Sequence, residues 1–202
     1  MPLWIAPTPL VLASKSPARQ RVLAQAGIAA DIHPANIDER AVEAAAAPGG
    51  PEAAARLLAR AKAFSVSGER PGQLVLGADQ TLALGNKRFS KPADRAAAHS
   101  QLRELAGKTH ELHSAFALAQ GGRLLFEYHD TARLTMRELS EPVIEQYLGT
   151  AGEAVLSSVG AYQIEGIGIH LFDRIEGDYF TILGLPLLPL LDWLRRGGFL
   201  AA

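Results

Sequence analysis

Between Leu12 and Leu23 the chain reads LASKSPARQRVL, which sets two hydroxyls, Ser14 and Ser16, with Lys15 and Arg19 between a short apolar run and the start of a helical pattern. The first backbone N–H groups of a helix lack partners within it, and the positive end of its dipole lies there, so such a place suits an oxyanion. Arg19 can add a bidentate contact to phosphate. The plainer assignment is that Ser14 or Ser16 caps the helix. The segment is no P-loop, because its glycines and a Gly-Lys-Ser/Thr ending are missing. Asp79 follows the apolar run VLGA, where a carboxylate has no packing role and Gly77 lets another group approach closely. It reads as a metal or water ligand, or as a turn or cap residue. Lys62 stands one residue past Ala61 near the edge of an apolar stripe, where a lysine ordinarily snorkels to solvent, and Lys91-Pro92 reads as loop. The six histidines make no metal site: His110 and His113, three apart, point to opposite faces of a strand. A Gly-x-Ser-x-Gly elbow, a His-Glu-x-x-His helix and a dinucleotide fingerprint are all missing from the sequence, which removes those reaction classes.

The elements that must hold these residues alternate. Leu10 to Ala13 is expected as a strand, and Arg19 to Ala26 as a helix with Val22, Leu23 and Ala26 on one side before Gly27. After Pro51, the residues Ala54, Leu57, Leu58, Ala61 and Phe64 keep one apolar face of a second helix that ends near Ser67 or Gly68. Leu74 to Ala78 is expected as a strand with Asp79 at its tip, and Gly85-Asn86 as a turn before Phe89. Ala93 to Leu105 is a helical stripe stopped by Gly107, and Thr109 to Ala119 with Leu124 to Met136 form a hairpin through Gly121-Gly122. Ser140 to Leu148 reads as helix, Ala161 to Ile164 and Gly168 to Ile175 as strands, and Pro186 to Arg196 as a closing helix capped by Gly197. Hairpins interrupt the strand–helix alternation, so the sheet is expected to be mixed. Only the alanine-rich stretch from Ala44 to Gly50 approaches low complexity, and it is expected as a surface loop or frayed helix.

The 202 residues, 48% of them hydrophobic and 20% charged, allow a sizeable core within a single domain spanning 1–202. Twenty basic against 21 acidic side chains leave a net charge of -1, which gives no diffuse basic surface for a nucleic-acid polymer. The lack of cysteine excludes thiol nucleophiles, disulfides and Cys-ligated zinc and fits a reducing compartment, the cytoplasm being the simplest. Met1 to Ala13 is apolar like a signal peptide but lacks a basic start and is interrupted by Pro2, Pro7 and Pro9, so a strand after an irregular lead-in is expected. No run of about 18 uncharged apolar residues is present, so no membrane association is expected.

Taken in order, eight blocks resemble the Maf family of nucleotide pyrophosphatases over nearly the whole chain. They are LASKSPARQRVL, Asp38-Glu39, ARAKAF around Lys62, VLGADQT around Asp79, Lys91-Pro92, ELAGKTHELHSAFAL from Glu104, and the closing pair VGAYQIEGIG from Val159 and EGDYFTILGLPL from Glu176. The resemblance implies a three-layer α/β fold with an elongated mixed sheet, like that of inosine-triphosphate pyrophosphatases, and a homodimer. It also implies a cleft in which Ser14, Arg19, Glu39, Lys62, Asp79 and Lys91 converge on a triphosphate and a divalent cation, Mg2+ or Mn2+. Asp79 would be the general base or, with Glu39, a ligand of the metal, and the reaction would split a nucleoside triphosphate to monophosphate and pyrophosphate. Two alternatives stay open. One is a nucleotide-binding regulator of cell division or septum formation with little turnover; the other is a phosphomonoesterase or nucleotidyltransferase using similar phosphate grips.

Three positions differ among Maf subfamilies, and here they hold Ala18, Gln80 and Glu165. The branch resembling dTTP and UTP pyrophosphatases has Arg, Thr and Gln there. Gln80 and Glu165 match instead the branch acting on 7-methyl-GTP, and a carboxylate can accept from guanine N1–H and its amino group. That branch has Trp at the place of Ala18, so an aromatic face for a cationic base is missing. A purine-tolerant enzyme with some preference for guanine or modified guanine nucleotides is expected.

Overall fold

The structure, a computed structural model, describes residues 3–46 and 49–201. Its strands are β1 (Leu10–Leu12), β2 (Ala30–Ile32), β3 (Val75–Leu84), β4 (Lys87–Phe89), β5 (Thr109–Gln120), β6 (Arg123–Met136) and β7 (Phe172–Glu176). Its α-helices are α1 (Pro17–Gln25), α2 (Glu39–Ala46), α3 (Gly50–Glu69), α4 (Arg95–Leu105), α5 (Glu141–Ala151), α6 (Tyr179–Ile182) and α7 (Leu187–Arg196). The sheet runs β2-β1-β3-β5-β6-β7, with β4 added on β3. Pairing of β1 with β2 and β3 is parallel, whereas β3–β4 and β6–β7 are antiparallel. The expected mixed α/β class is therefore what the chain adopts. No helix among the described residues is long and apolar enough to cross a membrane.

The chain divides into two compact units, and β3, β5 and β6 each contribute residues to both. The first unit comprises Met1–Gln80, His113–Thr131 and Asp178–Ala202. Strand alternation sends Leu10, Leu12, Leu76, Phe116 and Leu118 into one cluster with Val22 and Leu23 of α1 and Leu187, Leu190 and Leu194 of α7. The opposite face presents Val11, Ala13 and Val75 to Val66 of α3, and Ala115, Ala117 and Ala119 to Ala55, Ala59 and Ala63. Within this unit the sheet thus lies between α1 with α7 on one side and α3 on the other. Small residues set how close α3 comes. A Cβ on Gly77 would stand 2.2 Å from the Ala59 carbonyl oxygen and 2.5 Å from the Ala63 nitrogen, so only glycine allows this approach.

The second unit comprises Thr81–Leu112 and Ala132–Gly177. Gly85 turns β3 into β4 at a φ of 57°, and Asp94 caps α4 by accepting from the Ala97 N–H at 2.7 Å. Polar contacts bind α4 to α5: the ion pairs of Arg95 with Glu145 at 2.8 Å and Arg103 with Glu141 at 3.1 Å, and His99 Nε2 at 2.9 Å from Glu141 Oε2. Beneath them His110 is fully buried, with Nε2 2.7 Å from the Tyr162 hydroxyl, and Tyr162 meets Phe172 edge-on at 4.8 Å. Burial pushes the His110 imidazole down to about 4, raises the Tyr147 phenol to about 12 and raises that of Tyr162 as well.

Several expectations need correction. Ala161 to Ile164 is not a strand, because Gly160 and Ala161 take left-handed conformations, φ 79° and 60°, that end a 3₁₀ turn at Val159–Ala161. Another 3₁₀ turn occupies Ile167–Leu171, so β7 starts only at Phe172. Three short elements, β2, α2 and α6, are not among those expected, although the end of α2 overlaps the stretch expected as a surface loop or frayed helix. Of the alanine-rich stretch at 44–50, positions 47 and 48 lie outside the described residues, while α2 and α3 reach in from either side.

Candidate active site

The first unit brings together five of the expected residues. β1 ends at Leu12, and its parallel ladder with β3 stops at the pair Leu12–Leu76. From Gly77 onward β3 therefore continues without β1 beside it. Asp79 is not at a strand tip as expected, since β3 runs to Leu84; the neighbouring strand ends instead, so that Asp79 has no β1 residue beside it. The residues that follow β1 turn through Ser14 into α1, where Ser16 is the N-cap and accepts from the Arg19 N–H at 3.4 Å.

Arg19 is 7% exposed, and its guanidinium is held on two edges. Nε donates to the Gly184 carbonyl at 2.7 Å, and Nη1 donates to Ser14 Oγ at 3.1 Å and to the Ala78 carbonyl at 3.0 Å. Nη2 has no hydrogen bond among the described residues. Burial lowers the Arg19 pKa from its ordinary value, while the charges of Asp79 and Glu39 act in the opposite sense. An arginine stays cationic under such a shift.

Asp79 lies on the α3 side of the sheet, where Lys62 meets it. Lys62 Nζ is 2.6 Å from Asp79 Oδ1 and 2.9 Å from Glu39 Oε1. The lysine is only 8% exposed, so it is not the snorkelling surface lysine its sequence position favours. The close packing at Gly77 is what brings α3 near enough, since Lys62 adjoins Ala63, the residue against which Gly77 is fitted. Glu39 is the first residue of α2, held there by Asp38, whose Oδ1 accepts from the Ala41 N–H at 3.1 Å. One ammonium thus bridges two carboxylates, one buried and one half-exposed.

The remaining expected residues stand elsewhere. Ala18 is half-buried in the first turn of α1. Gln80, one residue from Asp79, points to the other face of the sheet, where Nε2 lies 2.9 Å from Ser114 Oγ, 3.1 Å from the Thr181 carbonyl and 3.0 Å from the Ile182 carbonyl. Lys91 and Glu165 belong to the second unit, both exposed, Lys91 just past β4 and Glu165 in a turn before Gly166. Gly166, Ile167 and Gly168 line a concavity of ≈ 220 Å³ with Tyr147, Thr150 and Gln163. Sequence reasoning missed Ser114, Asp130, Thr181 and Gly184. Three of them sit inside the blocks ELAGKTHELHSAFAL and EGDYFTILGLPL, which were legible as blocks but carried no residue-level chemistry.

A buried arginine with a hydroxyl on it and a lysine that bridges two carboxylates thus lie within one unit of a mixed α/β fold. The chain belongs to the Maf-like proteins, whose family model matches residues 9–197. It is similar to a protein of Rhodopseudomonas palustris named nucleoside triphosphate pyrophosphatase, 61% identical over the full length of both chains. A Bradyrhizobium diazoefficiens protein of the same name is 56% identical, again covering 100% of each. A Brucella abortus protein named 7-methyl-GTP pyrophosphatase is 54% identical over 93% of this chain and 95% of its own. Among solved structures, a nucleoside-triphosphatase, or dITP/XTP pyrophosphatase, of Mycobacterium abscessus overlays 95% of this chain and 94% of its own at 16% identity with a TM-score of 0.41.

Proposed function

We propose that this chain is a nucleoside triphosphate pyrophosphatase that hydrolyses the α–β phosphoanhydride to a nucleoside monophosphate and pyrophosphate. The observation that carries the reading is the buried Lys62 bridging Asp79 and Glu39 within a unit that also holds Arg19, in a chain of the Maf-like family. Arg19 and Lys62 bind phosphate oxygens and stabilise the charge that builds on them as the bond breaks. Ser14 holds Arg19 in place through Oγ and adds a hydroxyl beside the phosphates. Asp79 orients the attacking water and takes its proton.

The donor set fits a hard divalent cation. Asp79 and Glu39 are oxygen donors grouped around one ammonium, and Mg2+ typically takes only one or two carboxylates, keeping water and substrate phosphates for the rest. Among the described residues no group of three or more His, Asp or Glu is placed to hold a metal by protein atoms alone. When bound, Mg2+ or Mn2+ supplies Lewis-acid polarisation of the phosphoryl oxygens. For Lys91 a phosphate contact, and for Ala18 and Glu165 the choice of base, are roles supported by the family's sequence pattern; for Gln80 that pattern supports a role in discrimination between substrates, by a route its geometry must decide. The same pattern supports a guanine or 7-methylguanine preference, a homodimer and a single catalytic domain over the whole chain, since the family match runs through both units.

The test is a panel of normal and modified nucleoside triphosphates, with Mg2+ or Mn2+ and with EDTA, scored for pyrophosphate against orthophosphate. Pyrophosphate is the expected primary product, lost with EDTA and restored by metal. Primary release of orthophosphate overturns the reading.

A further inference from the structure

We infer that Gln80, Ser114, Asp130 and Thr181 form a positioning chain that sets Arg19 against the phosphates, with the Gln80 amide serving this chain and not the base. The inference rests on the pyrophosphatase reading of the Arg19 site and gives a role to EGDYFTILGLPL, which that reading leaves without one.

The argument starts from α6, which has four residues and cannot sustain itself. Asp178 caps it by accepting from the Thr181 N–H at 3.0 Å. Its own turn bonds, such as Leu183 N–H to the Tyr179 carbonyl at 3.1 Å, are local, and side chains of the sheet add the long-range anchors. Thr181, which has no exposed surface, donates its hydroxyl to Asp130 Oδ2 on β6 at 2.7 Å, while Asp130 Oδ1 accepts from the Thr131 N–H at 2.9 Å. Side chains also reach the carbonyls at the end of α6, including that of Thr181, which accepts from the Gly184 N–H at 3.0 Å as well. Ser114 Oγ donates to the Thr181 carbonyl at 2.7 Å, and Gln80 Nε2 reaches that carbonyl and the next. Carbonyls can only accept, so the Gln80 amide must turn its NH2 toward them, and both of its hydrogens are engaged there.

The anchored turn then delivers one group to the site. Two residues past Ile182, Gly184 adopts φ +89° and presents its carbonyl to Arg19 Nε at 2.7 Å. A guanidinium is planar, so fixing Nε and Nη1 fixes the direction of Nη2. A Cβ on Gly184 would stand 3.3 Å from Nη2 and 3.4 Å from Nε, so glycine also keeps that flank of the guanidinium open. Displacing α6 therefore turns the arginine, although none of the four chain residues needs to touch substrate.

The experiment compares Thr181→Val, which deletes the hydroxyl at nearly constant volume, with Thr181→Ser, which keeps it, and adds Gln80→Glu, which faces the two carbonyls with an acceptor. Inorganic tripolyphosphate, which has no base, is the binding probe, measured by calorimetry. Steady-state kinetics with GTP and UTP are read as kcat and KM, and melting temperature reports the fold. Thr181→Val and Gln80→Glu are expected to lower kcat/KM about tenfold or more for both nucleotides alike, as for loss of one charge-assisted contact in the transition state. Tripolyphosphate affinity should fall in parallel, and Thr181→Ser should restore most of both. Should Thr181→Val not fold, Asp130→Asn, which leaves only one acceptor for two donors, makes the same comparison. Unchanged tripolyphosphate affinity in folded variants overturns the inference. So does a Gln80→Glu variant that shifts the GTP-to-UTP ratio while leaving tripolyphosphate binding intact, because that places the amide on the base. A wild-type protein that binds tripolyphosphate yet releases no pyrophosphate from any nucleotide overturns the pyrophosphatase reading instead.

Discussion

Replacing Asp79 with asparagine separates its chemistry from its place in the fold, because the amide keeps the size of the carboxylate and removes its charge. Asp79 Oδ1 lies 2.6 Å from Lys62 Nζ, with the two side chains 12% and 11% exposed, and Lys62 keeps Glu39 as a second partner at 2.9 Å. Asp79→Asn therefore leaves no buried charge without a counter-charge. A hydrogen bond between charged groups is worth about 1.5–3 kcal/mol, of which the asparagine carbonyl retains a part. Relief of the carboxylate's desolvation offsets more, so the net loss of stability is on the order of 1 kcal/mol. For a chain of this size that lowers the melting temperature by about 2–4 °C and leaves nearly all molecules folded. The rate should respond far more strongly, by about 100-fold or more, since a base or metal-bound carboxylate is lost. The assay is pyrophosphate release at saturating nucleotide across a Mg2+ titration, with a thermal melt of the same samples. If Asp79 acts chiefly as the base, the loss persists at saturating metal; if chiefly as a ligand, more metal is needed for half-maximal rate. Turnover within about threefold of wild type, in a protein with an unchanged melt, would refute the assignment.

Gly77→Ala should be among the most damaging single-methyl changes, because the new Cβ would press on the backbone of α3 at 2.2 and 2.5 Å. A cost of about 2–3 kcal/mol is expected, a fall of roughly 5–10 °C in melting temperature, with pyrophosphatase activity reduced below that midpoint as Lys62 shifts from Asp79. His110 should make stability pH-dependent. Its pKa falls from 6.5 to about 4 on folding, so the unfolded chain binds the extra proton, and the stability it contributes is present above pH 6.5 and lost as pH falls toward 4. Up to about 3 kcal/mol is involved, and His110→Gln should flatten the melting temperature across that window. Glu165→Gln should lower kcat/KM for 7-methyl-GTP relative to UTP, and Ala18→Trp should raise it, each by about three- to tenfold, as expected of one carboxylate contact and one cation–aromatic contact.

What the sequence made legible follows the length over which each signal acts. The runs that became β5, β6, α3, α4 and α7 are ten or more residues long, and their period, caps and glycines agree with one another. The three-residue β2 and four-residue α6 carry no such period, because their geometry comes from neighbours: parallel pairing with β1 in one case, side chains of β3, β5 and β6 in the other. Asp79 and Lys62 show the same division within the site. The sequence marks Asp79 as odd in an apolar run and Gly77 as a place for close approach, yet it ranks Lys62 as a surface residue. Only packing across 17 positions of chain turns that lysine inward to Asp79. Gln80 makes the point most sharply. One residue from Asp79, it is read from the family pattern as a base-selecting position, but strand alternation directs the two side chains to opposite faces. Its influence on the site then runs through α6 and Gly184 to Arg19, a route that exists only once β3, β5 and β6 lie side by side. Subfamily differences at this position can therefore change how firmly Arg19 is held without any contact to the base.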